Sequence, residues 1–90
     1  MSLSLQRHKQ FKKDIVKVKF TDTQYGKFIR FVALIMEEEH LPSESKDHAL
    51  VGQWKGCREL HLAGDLLLIY TVNDSNAILI RVGSHAQLFE

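Results

Sequence analysis

Three histidines and one arginine in the second half of the chain are the residues with the clearest capacity for chemistry. His48 ends a polar loop, His61 precedes a turn, and His85 follows an apolar segment that contains Arg81. Imidazole is the side chain best suited to exchange protons near pH 7, and a charge within an apolar segment needs a partner or a function. Together they could cleave a phosphodiester through the adjacent ribose 2′-hydroxyl, because histidines can move the protons while the guanidinium holds the phosphate charge.

Each candidate also has an ordinary structural interpretation. A histidine in a polar loop, such as His48, is more often solvent-facing than catalytic. Asp65 follows Gly64 and is, by itself, a common turn residue. Arg81 could be neutralised by Glu59. Taken singly, these structural interpretations prevail, and only the joint arrangement favours chemistry.

The aromatic residues and the spacing of the histidines bear on base stacking and on metal binding. Phe89 or Tyr70 could stack an unpaired base, although both suit core packing, as does Trp54. The histidines lack the His-x-x-His or His-x-x-x-His spacing that typifies metal sites. The single cysteine, Cys57, excludes an internal disulfide and disfavours thiolate zinc. No metal and no cofactor are therefore predicted.

The candidate residues fall on a predicted three-stranded antiparallel meander in the C-terminal third of the chain. Two loops rich in turn-forming residues interrupt it, Ala63-Gly64 and residues 73–76. If Ala63-Gly64 is the whole hairpin loop, His61 lies opposite Leu66. The second loop then sets Leu68 opposite Arg81.

These registers divide the side chains of the meander between two faces, because successive residues of a strand alternate. One face is expected to form the core, with Leu60, Leu67, Ile69, Ile78, Ile80 and Val82. The other is expected to stay half-open for function, with Glu59, His61, Leu66, Leu68, Tyr70, Leu79 and Arg81. Asp65 lies away from this second face unless the loop is longer or a bulge redirects the side chain.

The N-terminal half is predicted to contain a weak edge strand around residues 3–7 and then two helices. Phe11, Ile15 and Val18 recur at helical spacing, and Thr21-Asp22-Thr23 supplies cap residues for a second helix. The apolar side of the second helix is predicted to consist of Tyr25, Phe28, Ile29, Val32, Ile35 and Met36.

The elements predict an α+β fold, a two-layer domain in which an N-terminal helical hairpin packs on one face of a small antiparallel sheet. Ninety residues suit a single domain, residues 1–90. The apolar fraction of 44% is ordinary for a soluble chain, and no apolar run reaches the roughly 20 residues that cross a bilayer. With a lone cysteine, these features predict a cytoplasmic location without membrane contact.

The formal net charge of +1 conceals a strong asymmetry. Residues 1–30 carry eight Lys and Arg against two acids, a net +6, and residues 31–90 carry four against nine, a net −5. A basic half suits nucleic acid or an acidic partner. A solvated helix face explains the same charges equally simply, so charge alone does not decide.

Two motifs in the second half resemble those of a known toxin family. The first is Asp-His-x-Leu-x-Gly-x-Trp-Lys at residues 47–55, and the second is Arg-x-Gly-Ser-His-x-x-Leu-Phe at residues 81–89. Together with Gly-Asp-Leu-Leu-Leu-Ile-Tyr at residues 64–70, they resemble the YafQ-type branch of the RelE/ParE superfamily. The resemblance covers residues 46–89 at motif level, and the helical half agrees only in layout.

The resemblance implies specific roles for matching residues. The family's catalytic positions correspond to His48, His61, Asp65, Arg81 and His85. The terminal aromatic of the family corresponds to Phe89, which is expected to contact RNA, and the basic residues Lys12, Lys13, Lys17 and Arg58 are expected to contact RNA through their charge. One position departs from the family pattern: the residue after the acid is often Trp and here is Leu66. A stacked base contributes roughly 1–3 kcal/mol, so this change bears on RNA binding.

The implied activity is that of a bacterial type II toxin, a ribosome-dependent, metal-independent endoribonuclease that cuts mRNA in the decoding site. The implied partners are a cognate antitoxin, the ribosome with its mRNA, and operator DNA only through the antitoxin complex. Two alternatives remain. Leu66 favours a catalytically weak module that binds antitoxin and represses its own operon. A gyrase-directed toxin of the same fold is the other, although such an activity has no evident need for histidines.

Overall fold

The computed structural model describes residues 2–89 of the chain. Five strands and three helices follow one another as β1 (Ser4–Arg7), α1 (Lys9–Ile15), α2 (Asp22–Met36), β2 (His48–Ala49), β3 (Arg58–Ala63), β4 (Leu66–Val72), β5 (Asn76–Ser84) and α3 (His85–Phe89). Short 3₁₀ turns lie at Ser43–Ser45 and Gly52–Trp54. The strands form one sheet in the order β1-β5-β4-β3-β2.

The predicted α+β class and meander are confirmed, with one difference in the sheet. Strands β3, β4 and β5 are successive antiparallel neighbours. Strand β1 is the expected short edge strand, but it pairs with β5 in parallel, Ser4 beside Asn76 and Arg7 beside Leu79. The sheet is therefore mixed rather than antiparallel, because helices α1 and α2 carry the chain back across the sheet before the meander begins.

Both predicted helices form, and the second begins at the predicted cap. Thr21 accepts a hydrogen bond from the Gln24 N–H, and the Gln24 side chain accepts one from the Thr21 N–H, which makes a capping box. The predicted apolar side of α2 needs a correction. Tyr25 and Ile29 are each 53% exposed, whereas Phe31 is fully buried. The buried stripe is therefore rotated toward Phe31, Val32 and Ile35.

The predicted strand registers are wrong by one residue at two places. The first hairpin turns at Gly64-Asp65, and a bulge beside Leu62 sets His61 opposite Leu67. A second irregularity in β5, at Ile80, sets Leu68 opposite Val82 rather than Arg81. A shift of one residue moves a side chain to the other face of the sheet. These two bulges therefore decide which residues meet the helices.

The two faces of the sheet accordingly differ from the predicted ones. The face beneath α1 and α2 holds the main core, with Leu60, Leu62, Leu68, Tyr70, Ala77, Leu79 and Val82 from the sheet. The opposite face is not simply open, because Leu67 and Ile69 form a second buried cluster there with Leu88 of α3. Gly83 permits this close contact, since a Cβ at that position would lie 2.9 Å from the Gln87 side-chain oxygen. Tyr70 and Trp54 pack as predicted.

Candidate catalytic site

One row of directly opposed residues crosses four strands of the sheet. His48 of β2 lies opposite Glu59, Glu59 lies opposite Ile69, and Ile69 lies opposite Arg81. Directly opposed residues point to the same face, and neighbouring strands are about 4.8 Å apart. The topology therefore aligns a histidine, a carboxylate and an arginine that are distant in sequence.

Glu59 lies between two of the predicted catalytic histidines. Its side chain is buried, with 5% of the residue exposed. Oε2 is 3.7 Å from Nε2 of His48, and Oε1 is 3.6 Å from Nε2 of His61. These separations allow electrostatic attraction but are too long for strong hydrogen bonds. The sequence suggested Glu59 as a partner for Arg81, and the structure gives it to the two histidines instead.

Arg81 is held by Asp14, a residue of α1. The guanidinium donates from Nε to Oδ2 at 2.6 Å and from Nη2 to Oδ1 at 3.0 Å. Oδ2 also accepts the backbone N–H of Val82 at 3.2 Å. The Arg81 and Asp14 side chains are 21% and 11% exposed. This two-point ion pair attaches α1 to β5.

The end of β1 explains why a helix residue meets Arg81. Pairing of β1 stops at Leu79, so the outer edge of β5 lacks a neighbouring strand beyond that point. Asp14 accepts the edge N–H of Val82 there. Burial raises the pKa of Asp14, but the hydrogen bonds from Arg81 and Val82 outweigh burial, so its pKa is lowered from 3.8. The hydrogen bond to Asp14 raises the pKa of Arg81.

A cleft of about 490 Å³ opens beside this ion pair. Polar residues predominate in its lining, and the basic side chains outnumber the acidic ones by three to two: Gln10, Asp14, Lys17, Val18, Lys19, Gln24, Asp65, Leu66, Arg81, Val82, Ser84 and Gln87. The cleft thus brings together Arg81 and Asp65, two of the predicted catalytic residues. His48, His61 and His85 do not line it.

His85 connects the cleft to the aromatic residues of the second cluster. Its backbone N–H donates to Oδ1 of Asp65 at 3.4 Å. Its ring lies 4.8 Å from the ring of Phe89, which in turn meets Trp54 edge-on at 6.3 Å. The turn at Gly64-Asp65 therefore brings Asp65 to the start of α3, which the sequence left undecided.

The predicted RNA-binding residues are distributed unevenly. Lys12 and Lys13 are exposed on the last turn of α1, and Lys17 lines the Arg81 cleft. Arg58 is opposite Tyr70, and its Nε and Nη2 atoms bind the carboxylate of Asp47 at 2.9–3.2 Å. Its guanidinium is therefore turned away from the histidines.

Leu66 occupies the position at which the resembled family often has Trp. It is partly buried and packs against the main core beneath the helices. It also lines the Arg81 cleft. A side chain in this position contributes an apolar wall to the cleft and offers no ring for stacking.

Of the two carboxylates that organise this surface, sequence reasoning assigned Glu59 to the wrong partner and missed Asp14. Glu59 carries a usable signal, because residues two apart on a strand share a face and Glu59 is two residues before His61. Asp14 carries no such signal. It is an ordinary polar position of an amphipathic helix, and it lies 67 residues before Arg81.

Within residues 2–89 no three His, Cys, Asp or Glu side chains are grouped so that they could hold a metal ion. In the same part of the chain no helix is long and apolar enough to cross a bilayer.

Comparison with known proteins places this arrangement in a family. The family model described as a bacterial toxin of type II toxin–antitoxin systems, YafQ, matches residues 3–90. The mRNA interferase toxin YafQ of Escherichia coli K12 is 37% identical over 89 residues, which cover 99% of this chain and 83% of that protein.

Solved structures agree in fold over nearly the whole chain. The E. coli DinJ–YafQ toxin–antitoxin complex contains a chain that is 31% identical, with a TM-score of 0.85 and complete coverage of both chains. A metal-bound toxin from Helicobacter pylori is 36% identical, with a TM-score of 0.82 and coverage of 97% of this chain and 99% of that one. The chain therefore belongs to the YafQ family of bacterial toxins of type II toxin–antitoxin systems.

Proposed function

We propose that this chain is an endoribonuclease, an mRNA interferase that cuts ribosome-bound mRNA by attack of the ribose 2′-hydroxyl on the adjacent phosphate. The observation that carries the proposal is the row His48–Glu59–Ile69–Arg81, in which strand register sets a histidine, a buried carboxylate and an arginine directly opposite one another across four strands. The 37% identity with an mRNA interferase over most of the chain supports the same activity.

Arg81 is proposed to bind the scissile phosphate. Asp14 occupies only the Nε–Nη2 edge of the guanidinium, so the outer edge can bind a phosphate. The neighbouring lysines of the cleft add positive potential. Stabilising charge that develops in the transition state is often the largest single contribution to catalysis.

The three histidines are proposed to share the base and acid steps. His48 and His61 lie on either side of a buried carboxylate, which favours the imidazolium that forms when either ring accepts the 2′-hydroxyl proton. His85 lies at the other end of the site beside Phe89, which is proposed to stack a base. Asp65 is proposed to tune His85, because it contacts the backbone of that residue.

The proposed partners follow from the same surface and from the family. A cognate antitoxin is proposed to silence this toxin, because the similar E. coli YafQ chain was solved in a toxin–antitoxin complex with DinJ. Operator DNA is proposed to be reached only through the complex of this chain with its antitoxin. The ribosome is proposed to meet the basic residues Lys12, Lys13 and Lys17. A cytoplasmic location follows from a ribosomal substrate.

A second candidate function rests on Leu66. Without an aromatic ring at this position, the chain would bind RNA less tightly by roughly 1–3 kcal/mol. The alternative is a toxin homologue that binds antitoxin and represses its operon but cuts RNA weakly. Induction without antitoxin distinguishes the two, because only an active nuclease should arrest growth.

The direct test uses programmed ribosomes and defined mRNA with EDTA present throughout. The wild-type chain is expected to leave a 2′,3′-cyclic phosphate (or its 3′-phosphate product) and a free 5′-hydroxyl. Arg81→Ala is expected to lower the cleavage rate by about 10²–10³-fold, as loss of one oxyanion-stabilising donor does elsewhere. Cleavage that stops with EDTA and returns with a divalent metal would refute the metal-independent mechanism, and an unchanged rate in Arg81→Ala would refute the role of Arg81.

A further inference from the structure

Asp14 combines features that an ordinary helix-surface carboxylate lacks. Its side chain is 11% exposed, and both of its oxygens accept hydrogen bonds from Arg81. The strand N–H of Val82 and the side chain of Gln10 also donate to it, at 3.2 and 3.5 Å. The carboxylate is thus attached to β5 by the strand backbone as well as by the guanidinium.

The shape of the ion pair determines which atoms of Arg81 remain available. A guanidinium has five N–H donors in a planar fork. Asp14 takes one from Nε and one from Nη2, and among residues 2–89 no other group accepts from Arg81. Nη1 and the outer N–H of Nη2 therefore form a second planar edge with the spacing that phosphate oxygens require.

A free arginine would not hold this edge in place. The side chain has about 2 kcal/mol of rotamer entropy, and β5 is bulged at the preceding residue, Ile80. The Asp14 carboxylate binds both Nε of Arg81 and the N–H of Val82. These contacts remove most of the rotamer freedom of Arg81 before substrate binds. Reduced ordering on binding is the general basis of preorganisation.

We infer that Asp14 is a positioning residue, which clamps the Arg81 guanidinium so that its outer edge faces the cleft for the scissile phosphate. The inference rests on the proposed role of Arg81 and extends it to a residue of α1. Asp14 touches neither substrate nor reacting atoms. Its action is on the orientation of Arg81 and on the charge balance of the cleft.

Two competing roles for Asp14 make different predictions from the clamp. If the carboxylate merely neutralised Arg81 and competed with phosphate, its removal would strengthen anion binding. If it only attached α1 to the sheet, its removal would lower the melting temperature without changing the chemistry of folded molecules. Measurements of anion binding and of turnover therefore separate the three roles.

The first experiment observes Arg81 directly without the ribosome. Adenosine 3′-monophosphate is titrated into ¹⁵N-labelled protein, and the Arg81 Nε–Hε signal is followed by NMR. The wild-type signal is expected to be resolved and slow to exchange, and to shift on binding. In Asp14→Asn we expect exchange to accelerate and the nucleotide affinity to fall at least fivefold. Equal or tighter binding by Asp14→Asn would overturn the inference.

The second experiment measures cleavage on programmed ribosomes well below each melting temperature. Asp14→Asn is expected to lower kcat about tenfold, with a smaller change in KM. The double variant Asp14→Asn, Arg81→Ala should be no slower than Arg81→Ala, because the clamp acts only through Arg81. If Asp14→Asn lowered the kcat of Arg81→Ala by the same factor as it lowers that of the wild type, Asp14 would act elsewhere and the inference would be overturned.

Matched variants control for charge and folding. Glu44→Gln removes an exposed carboxylate that binds Lys27 and Arg30 at 2.9 Å, and it should leave kcat within twofold. If Asp14→Asn fails to fold, Asp14→Glu takes its place. Glutamate keeps the negative charge but displaces the carboxylate by one methylene, so Asp14→Glu should show the same loss of kcat. If Arg81→Ala cuts normally, the proposed function of Arg81 fails; if only the Asp14 variants cut normally, the clamp alone fails.

Discussion

Two arginine–aspartate pairs flank this small sheet, and their chemistry is nearly the same. In each pair the arginine uses Nε and Nη2 to bind both carboxylate oxygens: Arg81 with Asp14 at one edge, and Arg58 with Asp47 at the other. Each aspartate also accepts a hydrogen bond from a strand residue outside the pair: Asp14 from the Val82 backbone N–H, and Asp47 from the Tyr70 hydroxyl. Pair geometry alone therefore does not distinguish the two arginines as candidate phosphate ligands.

The surroundings of the two pairs differ in sign. The cleft beside Arg81 is lined by Lys17 and Lys19, with Asp65 opposite. The pocket beside Arg58 is about 230 Å³ and is lined by Glu38 and Glu39 as well as by apolar residues. An anion approaching Arg58 would meet two further carboxylates. The comparison favours a phosphate role for Arg81 and a structural role for Arg58, so Arg58 is the least supported of the predicted RNA contacts.

A third carboxylate, Glu59, completes the comparison because its contacts are looser. Asp14 holds Arg81 at 2.6–3.0 Å, whereas Glu59 stands 3.6–3.7 Å from its two histidines. Arg81 is proposed only to hold a charge, and a rigid clamp suits that role. His48 and His61 are proposed to gain and lose a proton, and their longer contacts with Glu59 leave them free to change hydrogen-bond partners.

Apart from changes to Arg81 itself, the largest effect is expected from Glu59→Gln, which tests the carboxylate with the longer contacts. The amide keeps the shape but removes the charge that favours either imidazolium. Since general acid–base catalysis contributes about 10²–10⁴-fold, we expect kcat on programmed ribosomes to fall between tenfold and a hundredfold. Recovery of most of the cleavage rate in Glu59→Asp would support a requirement for the negative charge at this position. Normal cleavage by folded Glu59→Gln protein would instead make Glu59 a structural residue.

Arg58→Gln tests the other arm of the comparison. The change removes charged hydrogen bonds and leaves the Asp47 carboxylate without its cation. Hydrogen bonds to charged groups contribute about 1.5–3 kcal/mol, and we expect the lower half of that range because the Arg58 side chain is 42% exposed. Urea unfolding should report this loss, while cleavage per folded molecule stays within twofold. A large fall in ribosome affinity would restore Arg58 as an RNA contact.

The Asp14 clamp also predicts a pH dependence of stability. Because the folded pKa of Asp14 lies below 3.8, its contribution to the free energy of unfolding is present above about pH 4. That contribution is lost as pH falls through the lowered folded pKa. The stability difference between wild type and Asp14→Asn should therefore shrink on acidification. A stability difference that stays constant from pH 7 to about pH 2 would contradict the ion pair between Asp14 and Arg81 as a source of stability.

The smallest effect is expected from Tyr70→Phe. The Tyr70 hydroxyl donates to Asp47 at 2.5 Å, and burial, followed by Asp47, raises its pKa. Removing one hydrogen bond of this kind costs about 1 kcal/mol. Thermal unfolding should detect the change. Cleavage should be unaffected, since Tyr70 lies beneath the helices and away from the histidines; loss of activity would revive a stacking role for its ring.

Much of the fold was predictable from local pattern. Helical spacing located α1 and α2, the Thr21 cap located the start of α2, and turn-forming residues located both hairpins. These features depend on neighbours within a few residues, so a single sequence contains them. The candidate residues were found by type and by motif resemblance, which also depend on nothing but the order of amino acids.

The faces of the sheet and the partners of the charges were decided only in three dimensions. Alternation along a strand cannot reveal a bulge, and bulges at Leu62 and Ile80 moved Leu68 to the helix side and set Arg81 opposite Ile69. The pairing of Arg81 with Asp14 joins residues that no local pattern connects. The chain order therefore determined the elements and the chemical groups, whereas register and helix packing determined which carboxylate each cation meets, because a charge responds to its neighbours in space.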